Sequence, residues 1–207
     1  KRVLLTSPQD MIKEGYDFHS GNGTIVIVGN QESITGKLER DTVAAIDYGT
    51  DFYATQTLLT EDGRRIMLGW MQNWDCYMTP ETSSWSGMMT YPRELHVKGS
   101  HLIQSPAREL EAYYADTVLL EHTHIQYKQS LTAFSGRLLD FTLDIDASSC
   151  EEFCLNMAEN ERFATTVSYC PQEHLLTFDR SESGMIRDCI TSRTLRTADR
   201  NGKLSLR

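Results

Sequence analysis

Apolar and β-branched residues recur along this chain in short runs broken by turn residues. Arg2-Val3-Leu4-Leu5-Thr6, Gly23 to Gly29, Phe52 to Leu59, Arg65 to Trp70 and Glu94-Leu95-His96-Val97 are rich in β-branched and aromatic residues and predict strands. Ser20-Gly21-Asn22-Gly23, Glu61-Asp62-Gly63 and Lys98-Gly99-Ser100 predict the turns between them. Spacings this short, with no helical period in between, predict antiparallel sheets in a sandwich, barrel or propeller.

One brief helix interrupts the pattern. Pro106 to Tyr114 has Ser105 as a candidate N-cap and Pro106 at the first helical position, so residues 106–115 read as a linker between domains at 1–105 and 116–207. Beyond it, Ser135 to Asp146 alternates with period two. That pattern predicts Leu139, Phe141, Leu143 and Ile145 facing a core, with Asp140, Thr142, Asp144 and Asp146 facing water. Arg162 to Tyr169, Leu175 to Asp179 and Lys203 to Leu206 continue the strand pattern and predict an antiparallel sandwich. Cys150 to Asn160 reads equally as a short helix or a strand.

Composition narrows the function classes. With 207 residues, 40% hydrophobic content, a net charge of -9 and a pI near 5.1, the chain has the make-up of a folded protein and not of a nucleic-acid binder, which needs clustered Lys and Arg. The apolar runs are far shorter than the roughly 20 residues of a membrane helix, so no membrane partner is expected. The cysteines are Cys76, Cys150, Cys154, Cys170 and Cys189, with no Cys-x-x-Cys pair and no companion His at zinc spacing. Buried free thiols in a reducing compartment are expected, which leans towards the cytoplasm while leaving the compartment open. His19, His96, His101, His122, His124 and His174 are scattered, and no ligand set, metal or cofactor is expected. No Gly-x-Ser-x-Gly elbow supports serine catalysis. The first residue is Lys, so the chain is expected to be trimmed or a piece of something longer.

The region from Ile46 to Leu110 carries the candidate chemistry. Asp47 to Ala54, Gly69-Trp70-Met71-Gln72-Asn73-Trp74 and Pro92-Arg93-Glu94-Leu95 place flat rings and carboxylates between turns, as a surface that stacks on sugars and grips their hydroxyls would. These blocks, in this order, resemble glycoside hydrolase family 32, the invertases, levanases and inulinases that cleave β-fructofuranosides. Leu4 to Met11 is similar to that family's Ser-Pro-Gln-Gly-Met strand with Asp10 in place of Gly. Arg64 to Met71, Trp85-Ser86-Gly87 and Leu102 to Leu110 continue the likeness; after Tyr114 it narrows to Phe178 to Gly184.

The resemblance implies an all-β fold: the closing blade or blades of a five-bladed β-propeller, followed by a β-sandwich. It also implies part of a retaining hydrolase acting on sucrose, sucrose phosphate or fructan without cofactor or metal. Retention needs two carboxyl groups about 5 to 5.5 Å apart. The family's three carboxylate motifs, Trp-Met-Asn-Asp-Pro-Asn-Gly, Arg-Asp-Pro and Glu-Cys-Pro, are all missing from this sequence. The chain alone is therefore expected to be inactive, and the other reading is a non-catalytic carbohydrate-binding or interaction module.

Asp51, Tyr53 and Trp74 are the candidate substrate-binding residues, and no catalytic residue is assigned. Asp51 and Tyr53, two apart on one strand, would point the same way, and the resemblance implies that they bond sugar hydroxyls there; the plain alternative makes Tyr53 a core ring with a satisfied hydroxyl and Asp51 a turn or blade-locking residue. Trp74, in a polar setting, would pack on a sugar face or, in the plain alternative, serve as an interface-packing ring. Trp70 is expected in the core. Arg93 and Glu94 are expected to form a structural ion pair or a backbone clamp, with direct substrate contact the lesser reading, Asp47 is expected to cap a turn, and His122 and His124 to lie on the surface. The expected partner is a fructose-containing sugar. A few blades by themselves would expose unpaired strand edges, which predicts self-association through sheet edges.

Overall fold

The computed structural model describes residues 1–76, 82–132, 135–184 and 190–207; Cys189 lies outside them. Strands β1 (Arg2–Thr6), β2 (Ile25–Asn30) and β3 (Glu39–Ala45) form one antiparallel sheet in that order. Strands β4 (Tyr53–Leu59), β5 (Arg65–Trp70), β6 (Arg93–Lys98) and β7 (His101–Pro106) form a second, a simple meander. A 3-10 helix at Arg108–Tyr113 follows. After it, β8 (Leu143–Asp146) pairs with β13 (Lys203–Leu206). The remaining strands, β9 (Phe153–Met157), β10 (Thr165–Cys170), β11 (Leu175–Asp179) and β12 (Ser192–Arg196), form an antiparallel sheet ordered β12-β11-β10-β9.

The first two sheets share a core. Ile46, Phe52, Met67 and Leu95 are buried together, with Leu5 from β1 and Leu102 from β7 packed against them. Burying each such side chain contributes on the order of 1.5–3 kcal/mol, so this cluster ties the sheets more strongly than any surface contact. Gly69 faces the Phe52 ring so closely that a Cβ there would sit 2.4 Å from a ring carbon. Polar groups close the joint between the sheets. The Tyr53 hydroxyl donates to the Ser7 carbonyl at 3.0 Å, Ser7 Oγ accepts from the Ala54 amide at 3.0 Å, and Ser7 and Thr24 hydroxyls meet at 2.9 Å.

The structure departs from the sequence pattern at several places. The alternation from Ser135 to Asp146 becomes a strand only at Leu143–Asp146, because β13 offers just Lys203–Leu206 as a partner. Leu139 is 53% exposed, not core-facing, and Phe141 is half-buried. Ser105 and Pro106 are occupied as the end of edge strand β7, paired with Glu94 and Arg93, so neither starts the helix. The capping position falls to Ala107, which supplies no side-chain bond, and the helix is 3-10 in form. Within Cys150 to Asn160, Phe153–Met157 forms strand β9. Asp51 precedes β4, so it does not share a strand with Tyr53. Strands β3, β7 and β12 were not marked by the apolar pattern.

An ion network fastens the β4–β5 hairpin to the 3-10 helix. Arg64 pairs with Asp62 at 2.8 Å, Glu94 at 3.4 Å and Glu109 at 2.5 Å, while Arg108 reaches Asp62 at 2.7 Å. Hydrogen bonds from Thr60 and Arg64 lower Asp62 to a pKa of about 2, and bonds from Arg64 do the same for Glu109. Both folded values lie below the unfolded ones. The stability this network adds is therefore present above about pH 4.5 and lost as pH falls towards 2. Thermal melts of the parent and Arg64→Met chains are expected to differ at pH 6 and converge near pH 2; an equal difference at both pH values would contradict the assignment.

Candidate functional site

Loops from both sheets of the first domain converge beside the ends of β4 and β5. The loop between β1 and β2 brings His19 and Asn22, the loop between β3 and β4 brings Asp47 to Asp51, and the segment after β5 brings Asn73, Trp74 and Asp75. Asn73 is buried and central. Its Nδ2 donates to Asp51 Oδ1 at 3.2 Å, and its Oδ1 accepts from the Asp75 amide at 2.7 Å. Asp75 in turn accepts from the Asn22 amide at 2.9 Å. A side chain at Gly21, whose φ is +92°, would put Cβ 2.6 Å from that Asp75 carboxylate, so the turn requires glycine on both counts. The Asn22 side-chain oxygen is buried and has no hydrogen-bond partner among the described residues, leaving an acceptor free in the cluster.

Asp51 is half-buried, with the Thr50 hydroxyl on one carboxylate oxygen and Asn73 on the other. Burial raises its pKa, partly offset by Thr50, Cys76, Arg180 and Arg193. Trp74 is 56% exposed and meets half-buried Trp70 edge to face, ring centroids 5.4 Å apart. Its outer face is open to a flat ligand while Trp70 fixes its tilt. Asp51 is thus bonded to Asn73, the residue before Trp74, while the Trp74 ring itself meets Trp70. Tyr53 sits elsewhere: it is buried, and its hydroxyl is occupied by Ser7 in the joint between the sheets.

The Asp47–Asp51 loop is held firmly. Asp47 Oδ1 accepts from the Gly49 amide at 2.6 Å, as a turn cap does, and its other oxygen pairs with Arg93 at 2.8 Å. Arg93 also donates to Gln104 and lies over the Phe52 ring, 4.7 Å from its centroid. Glu94 points to the other side of β6, pairing with Arg64 and His96, so both residues serve structural ion pairs with separate partners. From the second domain, buried Arg193 on β12 donates to the Gly49 and Thr50 carbonyls at 3.2 and 3.4 Å. Burial brings its pKa down to about 10, and it lowers that of His19, which burial already depresses.

Sequence reasoning missed His19, Asn22, Asn73, Asp75 and Arg193. The Ser20-Gly21-Asn22-Gly23 turn signal marked the right place for Asn22, and Asn73 and Asp75 flank Trp74. For Arg193 there was no local signal. Among the described residues no group of three or more His, Cys, Asp or Glu is gathered as a metal site would be.

The family model for the glycosyl hydrolases family 32 N-terminal domain matches residues 1–106, and that for the glycosyl hydrolases family 32 C terminal matches residues 109–207. The chain belongs to glycosyl hydrolase family 32. A sucrose-6-phosphate hydrolase of Staphylococcus xylosus is 29% identical over 94% of this family 32 chain and 40% of its own length. A raffinose invertase of Escherichia coli is 33% identical over 77% of the chain and 34% of its own length. The chain thus spans well under half of these relatives. The solved sucrose-6-phosphate hydrolase of Lactobacillus gasseri superposes with a TM-score of 0.73 at 20% identity, over 89% of this chain and 38% of that one. The architecture is accordingly all-β, propeller blades followed by a sandwich, as the motif order implied.

Proposed function

We propose that this chain forms part of a retaining β-fructofuranosidase. In this reading Asp51 and Trp74 face a terminal fructosyl unit, and the nucleophile, stabilising Asp and acid/base Glu are supplied from outside these 207 residues. The observation that carries it is the loop cluster itself, in which the half-buried Asp51 carboxylate is bonded to Asn73 beside the exposed Trp74 indole that Trp70 meets edge to face, in a chain of this family. The Trp74 ring stacks on the apolar face of the sugar, and Asp51 accepts from its hydroxyls. Tyr53, with its hydroxyl on Ser7, acts behind them by keeping the two blades in register. The substrates read from the relatives' names are sucrose, its 6-phosphate and raffinose, which share a terminal β-fructofuranoside.

Hydrolysis with retention then runs by double displacement, one carboxylate attacking the anomeric carbon while a carboxylic acid protonates the departing oxygen. This chain orients the sugar for that attack and excludes water from one wall, but breaks no bond itself. The test compares fructose release from sucrose by the 207-residue chain and by the protein encoded by its reading frame extended upstream. The chain is expected to release none, and the extended protein to turn over at an enzyme-like rate. Fructose release by the chain alone, or an extended frame with no carboxylate motif, would overturn the proposal; the latter, with fructose still quenching Trp74 fluorescence, leaves a binding module.

A further inference from the structure

Strand β12 of the second domain presses on the first. Its Arg196 guanidinium lies over the Tyr16 ring, 5.5 Å from the centroid, and its Arg193 is buried against the Asp47–Asp51 loop. Arg193 Nε reaches the Gly49 carbonyl and Nη2 the Thr50 carbonyl, successive acceptors on one stretch of backbone. Among the described residues no carboxylate lies within ion-pair distance of it; Asp47 and Asp51 act on it from farther away. A buried guanidinium without a direct counter-ion is unfavourable unless its donors are well used. Here they are used on the loop that carries Asp51. The first domain already holds the front of that loop through Arg93, Asp47 and Gln104, which donates to the Ile46 carbonyl at 2.7 Å. At the rear the Gly49 amide stays on Asp47, and the Gly49 and Thr50 carbonyls take their side-chain bonds from Arg193.

We propose that Arg193 is a positioning residue: from the sandwich it fixes the Gly49–Thr50 backbone, and so sets where Asp51 stands for the sugar, making the site of one domain conditional on docking of the other. The link to sugar rests on the fructosidase reading above; the clamp does not. A planar fork can bond two carbonyls at once, whereas a lysine supplies the charge without the fork. The groups facing Asp51 are Thr50, Asn73, Cys76, Arg180 and Arg193, and those facing Arg193 are His19, Asp47 and Asp51.

The test uses the 207-residue chain and its Arg193→Met and Arg193→Lys variants, followed by NMR. In Arg193→Met, hydrogen exchange at the Gly49 amide is expected to quicken about tenfold or more, with the β10 and β11 amides unchanged, and the Asp51 carboxyl is expected to titrate at higher pH. Arg193→Lys is expected to restore the Asp51 titration and not the Gly49 protection, a split that loss of structure alone would not give. Fructose affinity is expected to fall about tenfold in the Met variant, the scale of one or two lost hydrogen bonds. Gly49 exchange and Asp51 titration unchanged in Arg193→Met overturn the clamp. If that variant does not fold, Arg193→Lys decides: quicker Gly49 exchange supports the clamp and parent-like exchange overturns it. Failure of the parent chain to bind fructose would count against the sugar reading only.

Discussion

Gly69→Ala is expected to destabilise the first domain by about 3 kcal/mol, the upper end of what an extra methyl inflicts on a filled core. The added Cβ would lie 2.4, 2.6 and 3.1 Å from three atoms of the Phe52 ring, which is itself only 6% exposed. The ring has no free direction in which to yield, since the Arg93 guanidinium lies over it and Met67 and Leu95 pack in the same cluster. Displacing it also disturbs the Arg93–Asp47 pair, so the damage reaches the loop that ends in Asp51. Thermal unfolding of Gly69→Ala is expected roughly 10 °C or more below the parent. Replacing Phe52 by Leu in the same chain should recover part of the loss, giving a coupling between the two sites that independent mutations would not show. A melting temperature within a degree or two of the parent would mean that the ring moves freely and the core is looser than drawn.

The legible part of this molecule was the part in which short-range rules operate. Strand β5 at Arg65–Trp70, β11 at Leu175–Asp179 and β13 at Lys203–Leu206 coincide with their apolar runs, since each alternates or fills two buried faces. Strand β3 did not stand out: Glu39, Arg40 and Asp41 open it with exposed charges, and pairing with β2 makes it a strand, not its own composition. The stretch before β8 failed in the opposite sense, alternating without a strand paired to it among the described residues. Asp10 is a subtler case. It stands where the similar family strand has Gly, and its φ of +52° is the left-handed conformation that makes glycine the ordinary choice, with Asp among the few side chains that tolerate it.

The site divides along the same line. Trp74 and Asp51 lie in segments whose composition announced them, while Arg193 reaches Gly49 across 144 positions of sequence, and no periodicity encodes such a contact. Tyr53 shows the limit of strand geometry as a guide. Parity places residues two apart on one face only within a continuous strand, and here β4 begins at Tyr53 with a bulge between Tyr53 and Gln56, so Asp51 belongs to the preceding loop.

Asp51→Asn, introduced into the protein that carries the catalytic carboxylates, is expected to lower kcat/KM for sucrose about a hundredfold. Hydrogen bonds to sugar hydroxyls that strengthen in the oxocarbenium-like transition state supply several kcal/mol in this class of reaction, and a charged acceptor supplies the strong ones. The substitution keeps shape and leaves Asn73 an acceptor, so lost packing would not explain a large effect. Its influence on folding runs the other way. Burial raises the Asp51 pKa, so the folded state favours the protonated form, and the stability tied to that proton is full below the unfolded value of 3.8 and lost as pH rises through the folded value. At pH 7 the ionised carboxylate is a burden that Asn removes, and the variant is expected to melt above the parent there and to lose that advantage below about pH 4. A variant that is slower yet more stable at neutral pH identifies a charge kept in place for the sugar. One that is less stable and equally active would make Asp51 a structural residue, and would leave Trp74 as the sugar-facing group.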